Sequence, residues 1–252
     1  MDFPLPLITG RLERRYKRFL ADIRLDGDGT LVTAHCANPG AMLGLMEPGM
    51  PVWLMPTPGG GRKLAYSWEL AQVGAGLVGI NTTRPNGIVA EALAAGRIPE
   101  LAGYAHHRRE VPYGKASRVD FLLSADGRPD CLVEVKNVHL RRTGSLAEFP
   151  DCVTARGARH LDELGEAVVA GRRAVMLYLV QRDDCSAFAI ADDLDPAYAR
   201  GLVTARARGG EILCYACRLS PAAITLDASL PLHLPPVDQS VSDSGSRKPR
   251  KT

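Results

Sequence analysis

Asp120 in SRVDF, and Glu134 with Lys136 in LVEVKN, are the residues of this 252-residue chain best placed to do chemistry together. Strand alternation puts Leu132, Glu134 and Lys136 on one face and turns Val133 and Val135 to the other. The short turn ADGRPD joins the two segments, so the first can lie beside the second as a hairpin partner with Asp120 among the other charges. Two carboxylates and the backbone carbonyl of Val135 make a hard oxygen site for Mg2+ or Mn2+, ions that keep waters and can sit against a phosphate. Such a site generates hydroxide and stabilises charge on phosphoryl oxygens. Lys136 can orient or deprotonate the attacking water and neutralise the pentavalent phosphate. That is the chemistry of a metal-dependent phosphodiesterase. The plainer account makes Glu134 and Lys136 a solvent face with Asp120 incidental. Val, Leu and Cys bracket the strand, however, and unpaired charge in a central strand costs several kcal/mol.

A second group of residues suits an anionic polymer. From Arg11 to Arg24 the chain reads RLERRYKRFLADIR, with Arg14, Arg15, Lys17 and Arg18 around Tyr16. Counterion release favours phosphate binding by such a cluster, and the aromatic offers a stacking surface. A strand edge kept soluble by charge is the competing account. Further along, Arg156, Arg159 and His160 fall at the start of an expected helix, where free backbone amides also favour an anion. They fit a phosphate grip or a set of surface ion pairs. Arg118 shares the strand parity of Asp120 and suits a carboxylate partner as well as a DNA contact.

The elements that must position these residues fall into two regions. Residues 1–80 show short β-rich pieces: one strand near RYKRFLADIRL, the turn Asp26-Gly27-Asp28-Gly29, then TLVTAH, VWLM and RKLAYSWELAQV. Short strands without helices suggest a small β-barrel of the oligonucleotide-binding (OB) kind, with a sandwich or irregular cap as the alternatives. Residues 81–230 change grammar. NGIVAEALAAG reads as a helix ended by Gly96, strands follow at RREVPY, SRVDFLLS and CLVEVKNVHL, and a long helix at about 151–170. The apolar RAVMLYLVQR suits a strand buried on both faces; a helix at PAYARGLVTARARG and the strand EILCYACRL complete an α/β or α+β domain with a mixed sheet. Residues 231–252, rich in Pro, Ser and charge, are expected to form a disordered tail.

Composition narrows the setting. No apolar run approaches the roughly 18 residues of a bilayer-spanning helix, and MDFPLPLITG lacks the form of a secretory signal. The six cysteines, read as core residues, suit a reducing compartment, so a cytoplasmic location is expected. Only Cys214 and Cys217 form a C-x-x-C, and a strand would send them to opposite faces, against a zinc or redox role. The net charge of +3 is too small to establish a nucleic-acid partner by itself. Neither a nucleotide-binding glycine fingerprint nor a carboxylate pair suited to glycosides is present. No membrane and no small-molecule cofactor is expected, and nothing in the pattern specifies an oligomeric state.

The acid on one strand followed by acid-x-Lys on the next resembles the PD-(D/E)xK nuclease superfamily, with Val119 in place of the Pro. That resemblance implies a restriction-endonuclease-like sheet flanked by helices. It offers Glu91, on the first helix, as a further metal ligand, a helix-surface charge being an equal account, and Gln181 as an accessory polar residue. Longer segments, RYKRFLADI, VTAHCANPGAMLGL, RKLAYSWEL, GINTTRPN, SRVDFLL, VEVKNVHL, FPDCVTARGARHLDEL and AVMLYLVQR, look like the sugar fermentation stimulation protein (SfsA) family. The resemblance implies an N-terminal OB barrel, a nuclease-like C-terminal domain and DNA binding of low sequence specificity. In the loop after Cys36 the chain departs from the family pattern, with Pro39 and Ala41 replacing two hydroxyl residues. Two functions fit: a nuclease, or a noncatalytic DNA-binding regulator affecting sugar fermentation genes.

Overall fold

The computed structural model describes residues 1–57, 63–113 and 117–237. Its first layer is a barrel. Strands β1 (Ile8–Tyr16), β2 (Leu20–Leu25), β3 (Leu31–His35), β4 (Pro51–Pro56) and β5 (Tyr66–Val73) pair in the order β3-β2-β1-β4-β5, and a bridge from His35 to Ser67 closes the ring. Closure at that point shortens the sheet edge that β3 would otherwise present. Inward alternation delivers Leu12, Ile23, Val52, Leu54 and Trp68 to the interior, each essentially without solvent contact. Each such side chain contributes roughly 1.5–3 kcal/mol by leaving water. Strand β6 (Gly76–Gly79) adds to β5 outside the ring.

The single strand expected near RYKRFLADIRL is instead a hairpin, β1 and β2. Its tip holds Lys17 and Arg18 at φ 50° and 65°. Such tight hairpin turns usually announce themselves with Gly or Asn, and here two basic residues take the left-handed conformation.

The second layer is a mixed sheet. After α1 (Pro85–Ala94) come β7 (His106–Tyr113), β8 (Ser117–Ser124), β9 (Cys131–Val138), β10 (Leu146–Phe149), α2 (Ala155–Val169) and β11 (Arg173–Val180). Then β12 (Ala187–Ile190), α3 (Pro196–Ala207), β13 (Glu211–Leu219), β14 (Ile224–Ser229) and β15 (Leu232–His233) follow. The large sheet runs β14-β13-β11-β9-β8-β7, with β9, β11 and β13 parallel at its centre. From Ala174 to Val180 every residue of β11 is buried, as two covered faces require. Helix α1 packs on one face with Leu123, Val133 and Leu177, while α2 and α3 cover the other with Tyr178, Phe188 and Tyr198. Asp195 fixes both of the latter helices, capping α3 through the Tyr198 amide and accepting from Thr154, the cap of α2.

Several expectations need correction. Strands β10, β12 and β15 form a small parallel sheet that short, unpatterned segments did not announce. Because β15 pairs beside β12 and Arg206 donates to the Pro235 carbonyl, the ordered chain runs past Leu230; the tail from 238 lies outside the described residues. Of the cysteines read as core, Cys152 is exposed and Cys185 only half-buried. Cys214 and Cys217 belong to the apolar clusters on opposite faces of the sheet.

The two layers meet along a built seam. Val78 bridges to Arg182, and the Gly79 amide donates to the Gln181 carbonyl at 2.8 Å, so β6 continues onto the end of β11. Asp151 reaches across: its Oδ2 accepts from the Met42 amide at 3.0 Å and lies 3.3 Å from His139 Nε2. Gly40 lies beneath it, and a Cβ there would stand 2.5 Å from Asp151 Oδ2, so a larger residue would displace that carboxylate.

Burial alone would raise the Asp151 pKa, but His139 and the Met42 amide hold it well below the ordinary carboxylate value. A depressed carboxylate stabilises the fold at neutral pH and loses that contribution as pH falls below about 4. Asp151→Ala is expected to cost about 1–3 kcal/mol at pH 7. Thermal melts should show the gap between variant and wild type narrowing in acid; a constant gap would exclude the charge as its source.

Candidate metal centre

The hairpin β8–β9 is in register from Leu123 opposite Cys131 to Phe121 opposite Val133, and its pairing then stops. The next pair would be Asp120 and Glu134, two carboxylates face to face, which a regular ladder disfavours. Asp120 instead turns its Oδ2 to the Val135 amide at 2.7 Å, replacing the missing backbone bond, and its Oδ1 accepts from Asn86 Nδ2 at 2.7 Å. In a strand, one residue's N–H and C=O point to the same side. The Val135 carbonyl therefore faces the same gap.

Glu134 is 3% exposed, and its Oε1 accepts from Lys136 Nζ at 2.7 Å and meets His160 Nδ1 from α2. Its Oε2 is buried without a hydrogen-bond partner. Lys136 Nζ also lies 3.3 Å from His160 Nδ1, and Arg156 Nε donates to His160 Nε2 at 3.3 Å. Burial and the charge of Glu134 raise the Asp120 pKa. For Glu134, burial pushes upward but His160 and Lys136 prevail and lower it.

These groups line a cleft of about 610 Å³ along the seam. Asn38, Pro39 and Gly40 of the barrel and Thr82 and Thr83 of the connection wall one side; β7, β8, β9 and α2 wall the other. The loop wall is held tightly, since Arg15 donates to the carbonyls of Arg18, Asn38 and Gly40, and Asn38 donates to Ile80.

Asp120, Glu134, Val135, Lys136, Arg156 and His160 thus share one cleft, but not in every expected role. His160 is buried against Glu134, so its surface reading as a DNA contact is replaced by one beneath the carboxylate. Glu91 lies elsewhere: it is exposed and pairs with the N-terminal amine at 2.6 Å. The residue of α1 that reaches the cleft is Asn86. Gln181 is fully buried and donates to Asn137, itself a lining residue. Arg118 and Arg159 are exposed outside the lining.

On the barrel, Arg14 pairs with Asp22 at 2.8 Å and lies over Tyr16, whose hydroxyl also donates to Asp22. Arg15 is spent on loop carbonyls, which leaves Lys17 and Arg18 at the hairpin tip as the open cations of that cluster, beside exposed Phe19. The sequence reading missed Asn86, Arg109, Glu110, Asn137, His139 and Asp151 in the cleft. Glu110 was the most accessible of these: counting back across the RREVPY and SRVDFLLS hairpin places it opposite Asp120.

Among the described residues no three His, Cys, Asp or Glu side chains converge on one point. The donor set nevertheless fits a hard divalent cation. A buried carboxylate oxygen lacks a partner, a second carboxylate has spare lone pairs, and a backbone carbonyl faces the same gap.

A closed OB barrel joined to a mixed sheet with an acid-lined cleft at the seam defines a two-domain α/β protein of the restriction-endonuclease-like type. Residues 14–80 match the family model described as SfsA N-terminal OB domain, and residues 83–223 match that described as Sugar fermentation stimulation protein RE domain. The chain belongs to the SfsA family. It is 60% identical to a sugar fermentation stimulation protein homolog of Paramagnetospirillum magneticum, over 93% of this chain and 98% of that one. It is 60% identical to the homolog of Rhodospirillum centenum over 92% and 99% respectively. The solved structure of Pyrococcus furiosus SfsA in complex with Ca2+ superposes with a TM-score of 0.83 at 28% identity, covering 93% of this chain and 98% of that one. No helix among the described residues is long and apolar enough to cross a membrane.

Carboxyl titration of the metal-free protein, followed by NMR, should place Asp120 above its ordinary value of 3.8 and Glu134 below its ordinary 4.5. The reverse order would mean that Lys136 and His160 do not hold Glu134 in solution.

Proposed function

We propose that the protein is a divalent-metal-dependent phosphodiesterase acting on DNA with little sequence preference, its cation held by Asp120, Glu134 and the Val135 carbonyl. The observation that carries this reading is the unpartnered Oε2 of buried Glu134 at the edge of the cleft. Leaving a carboxylate oxygen dry and unsatisfied is costly, and a cation removes the cost. The Pyrococcus furiosus relative was solved with Ca2+, which like Mg2+ and Mn2+ prefers oxygen donors. When bound, such an ion activates water and offsets charge on phosphoryl oxygens.

The chain's own groups supply the rest. Lys136, ion-paired with Glu134 and 3.3 Å from His160, is held with its ammonium at the reacting edge. From there it orients the attacking water and donates to a non-bridging phosphate oxygen. Exposed Arg156 and Arg109 line the same cleft and grip the flanking backbone. On the barrel side, Lys17 and Arg18 extend the phosphate track, with Phe19 available for base stacking.

Purified protein with Mg2+ or Mn2+ is expected to nick plasmid or cut single-stranded DNA, and Glu134→Gln and Lys136→Met should each lower the rate by about a hundredfold or more. Undiminished cleavage in both variants would remove the assignment. Salt-sensitive DNA retention without cleavage under any metal would instead select the noncatalytic regulator.

DNA affinity measured against salt gives a separate check. Lys17→Ala and Arg18→Ala should each flatten the logarithmic slope by about 1. Arg15→Ala is expected to lower the melting temperature through its loop carbonyls. An unchanged slope in both tip variants would move the DNA track away from the hairpin.

A further inference from the structure

Resting on the metal reading above, one row of the sheet extends it. The β7–β8 ladder has constant register, with Arg109 opposite Phe121 and Val111 opposite Val119, so Glu110 stands opposite Asp120. The β8–β9 register sets Asp120 level with Glu134. Three acids on three adjacent strands therefore occupy one transverse row, and both ladders lose their pairing at that row. Like charges directly opposite one another destabilise a sheet. The row is thus unfavourable unless something positive or hydrogen-bonding stands between its members.

Glu110 carries a second mark. Its φ is 52°, a left-handed conformation that a non-glycine residue in mid-strand adopts rarely and at a cost. The residue lines the cleft, and its Oε1 lies 3.4 Å from Asn86 Nδ2, the same amide nitrogen that donates to Asp120 Oδ1 at 2.7 Å. A single NH2 group thus stands between two carboxylates, where a cation is the stronger bridge. The neighbouring buried oxygen without a partner, Glu134 Oε2, supplies an independent sign that the row awaits a ligand.

We infer that Glu110, and not Glu91 of the first helix, is the third acidic group of the metal centre, bridged to Asp120 by the Asn86 amide in the metal-free protein and recruited when a divalent cation binds. Carboxylates on three neighbouring strands would then surround the cation from one side, leaving its opposite side open toward the cleft and a phosphate. Exposure of Glu110 lets its side chain move inward without breaking a buried contact.

The test is Mn2+ binding to the full chain by calorimetry, together with thermal melts without and with Mn2+. Glu110→Gln should weaken Mn2+ binding by about tenfold or more and shrink the Mn2+-induced rise in melting temperature. Its metal-free melting temperature should equal or exceed that of wild type, because one member of a repelling row is gone. Glu91→Gln should bind Mn2+ as wild type does, and Asp120→Asn should bind it poorly. Wild-type affinity in Glu110→Gln alongside lost affinity in Asp120→Asn would overturn the inference and leave the phosphodiesterase reading standing. Wild-type protein that binds no Mn2+ would overturn both. A metal-free Glu110→Gln that melts below wild type would refute the repulsion on which the row argument rests.

Discussion

Asp120 and Glu134 repel each other across neighbouring strands of a sheet whose centre is otherwise apolar, and the surrounding structure follows from accommodating them. A buried carboxylate without partners costs several kcal/mol, and two side by side cost more. The sheet responds by parting: β8 and β9 pair from Cys131 to Val133 and separate beyond it. Asp120 spends its oxygens on the Val135 and Asn86 N–H groups, while Glu134 spends one oxygen on Lys136 and His160. The opening that relieves repulsion is the same opening that frees the Val135 carbonyl from the β8 ladder and borders a buried carboxylate oxygen without a partner. The proposed function and the local instability therefore have one origin, as is common where charged groups interrupt a core.

A parted sheet admits water along its length unless something walls the gap, and the barrel does so. The loop from Ala37 to Met42 lies against the cleft because Arg15 gathers its carbonyls and Asp151 accepts its Met42 amide. The position of that loop depends on backbone groups and on Gly40, whose amide donates to Asn38 Oδ1. Arg15, which by sequence belongs with the basic cluster, works as an internal brace. The barrel is thus one wall of the site as well as a neighbouring domain.

Much of this was legible in the sequence, and the failures have physical causes. Alternation in LVEVKN and the hairpin turn ADGRPD were enough to bring Asp120, Glu134 and Lys136 together, because strand period and a short turn fix neighbours with little tertiary input. The helices at about 151–170 and at PAYARGLVTARARG were equally plain, and the structure shows Thr154 and Asp195 capping them. Short strands β10, β12 and β15 carry too few residues for periodicity to register, and they exist because neighbours hold them. Lys17 and Arg18 take a left-handed turn that their residue types disfavour, so one strand was read where two exist. Glu91 and Asn86 are separated by about 1.4 helical turns. Only the docking angle of α1 decides which of them faces the cleft, and no helical periodicity encodes that angle.

The modest net charge of +3 sits uneasily with the proposed polyanionic substrate until the position of each charge is weighed. At physiological salt the Debye length is about 8 Å, so a strand in the cleft feels local groups and little of the total. Arg14 is neutralised by Asp22, Arg142 by Glu148 and Asp193, and Arg173 by Glu211, all ion pairs that leave no field for a ligand. What remains near the seam is Lys17 and Arg18 on the barrel, the Arg18 carbonyl sharing the Arg15 guanidinium with those of Asn38 and Gly40, and Arg109 and Arg156 across the cleft. Under the proposed reading these few cations bracket the reacting row from both domains and contact backbone phosphates without reading bases. On that reading, little overall charge is needed to hold DNA, and low sequence preference would follow from the same economy of contacts.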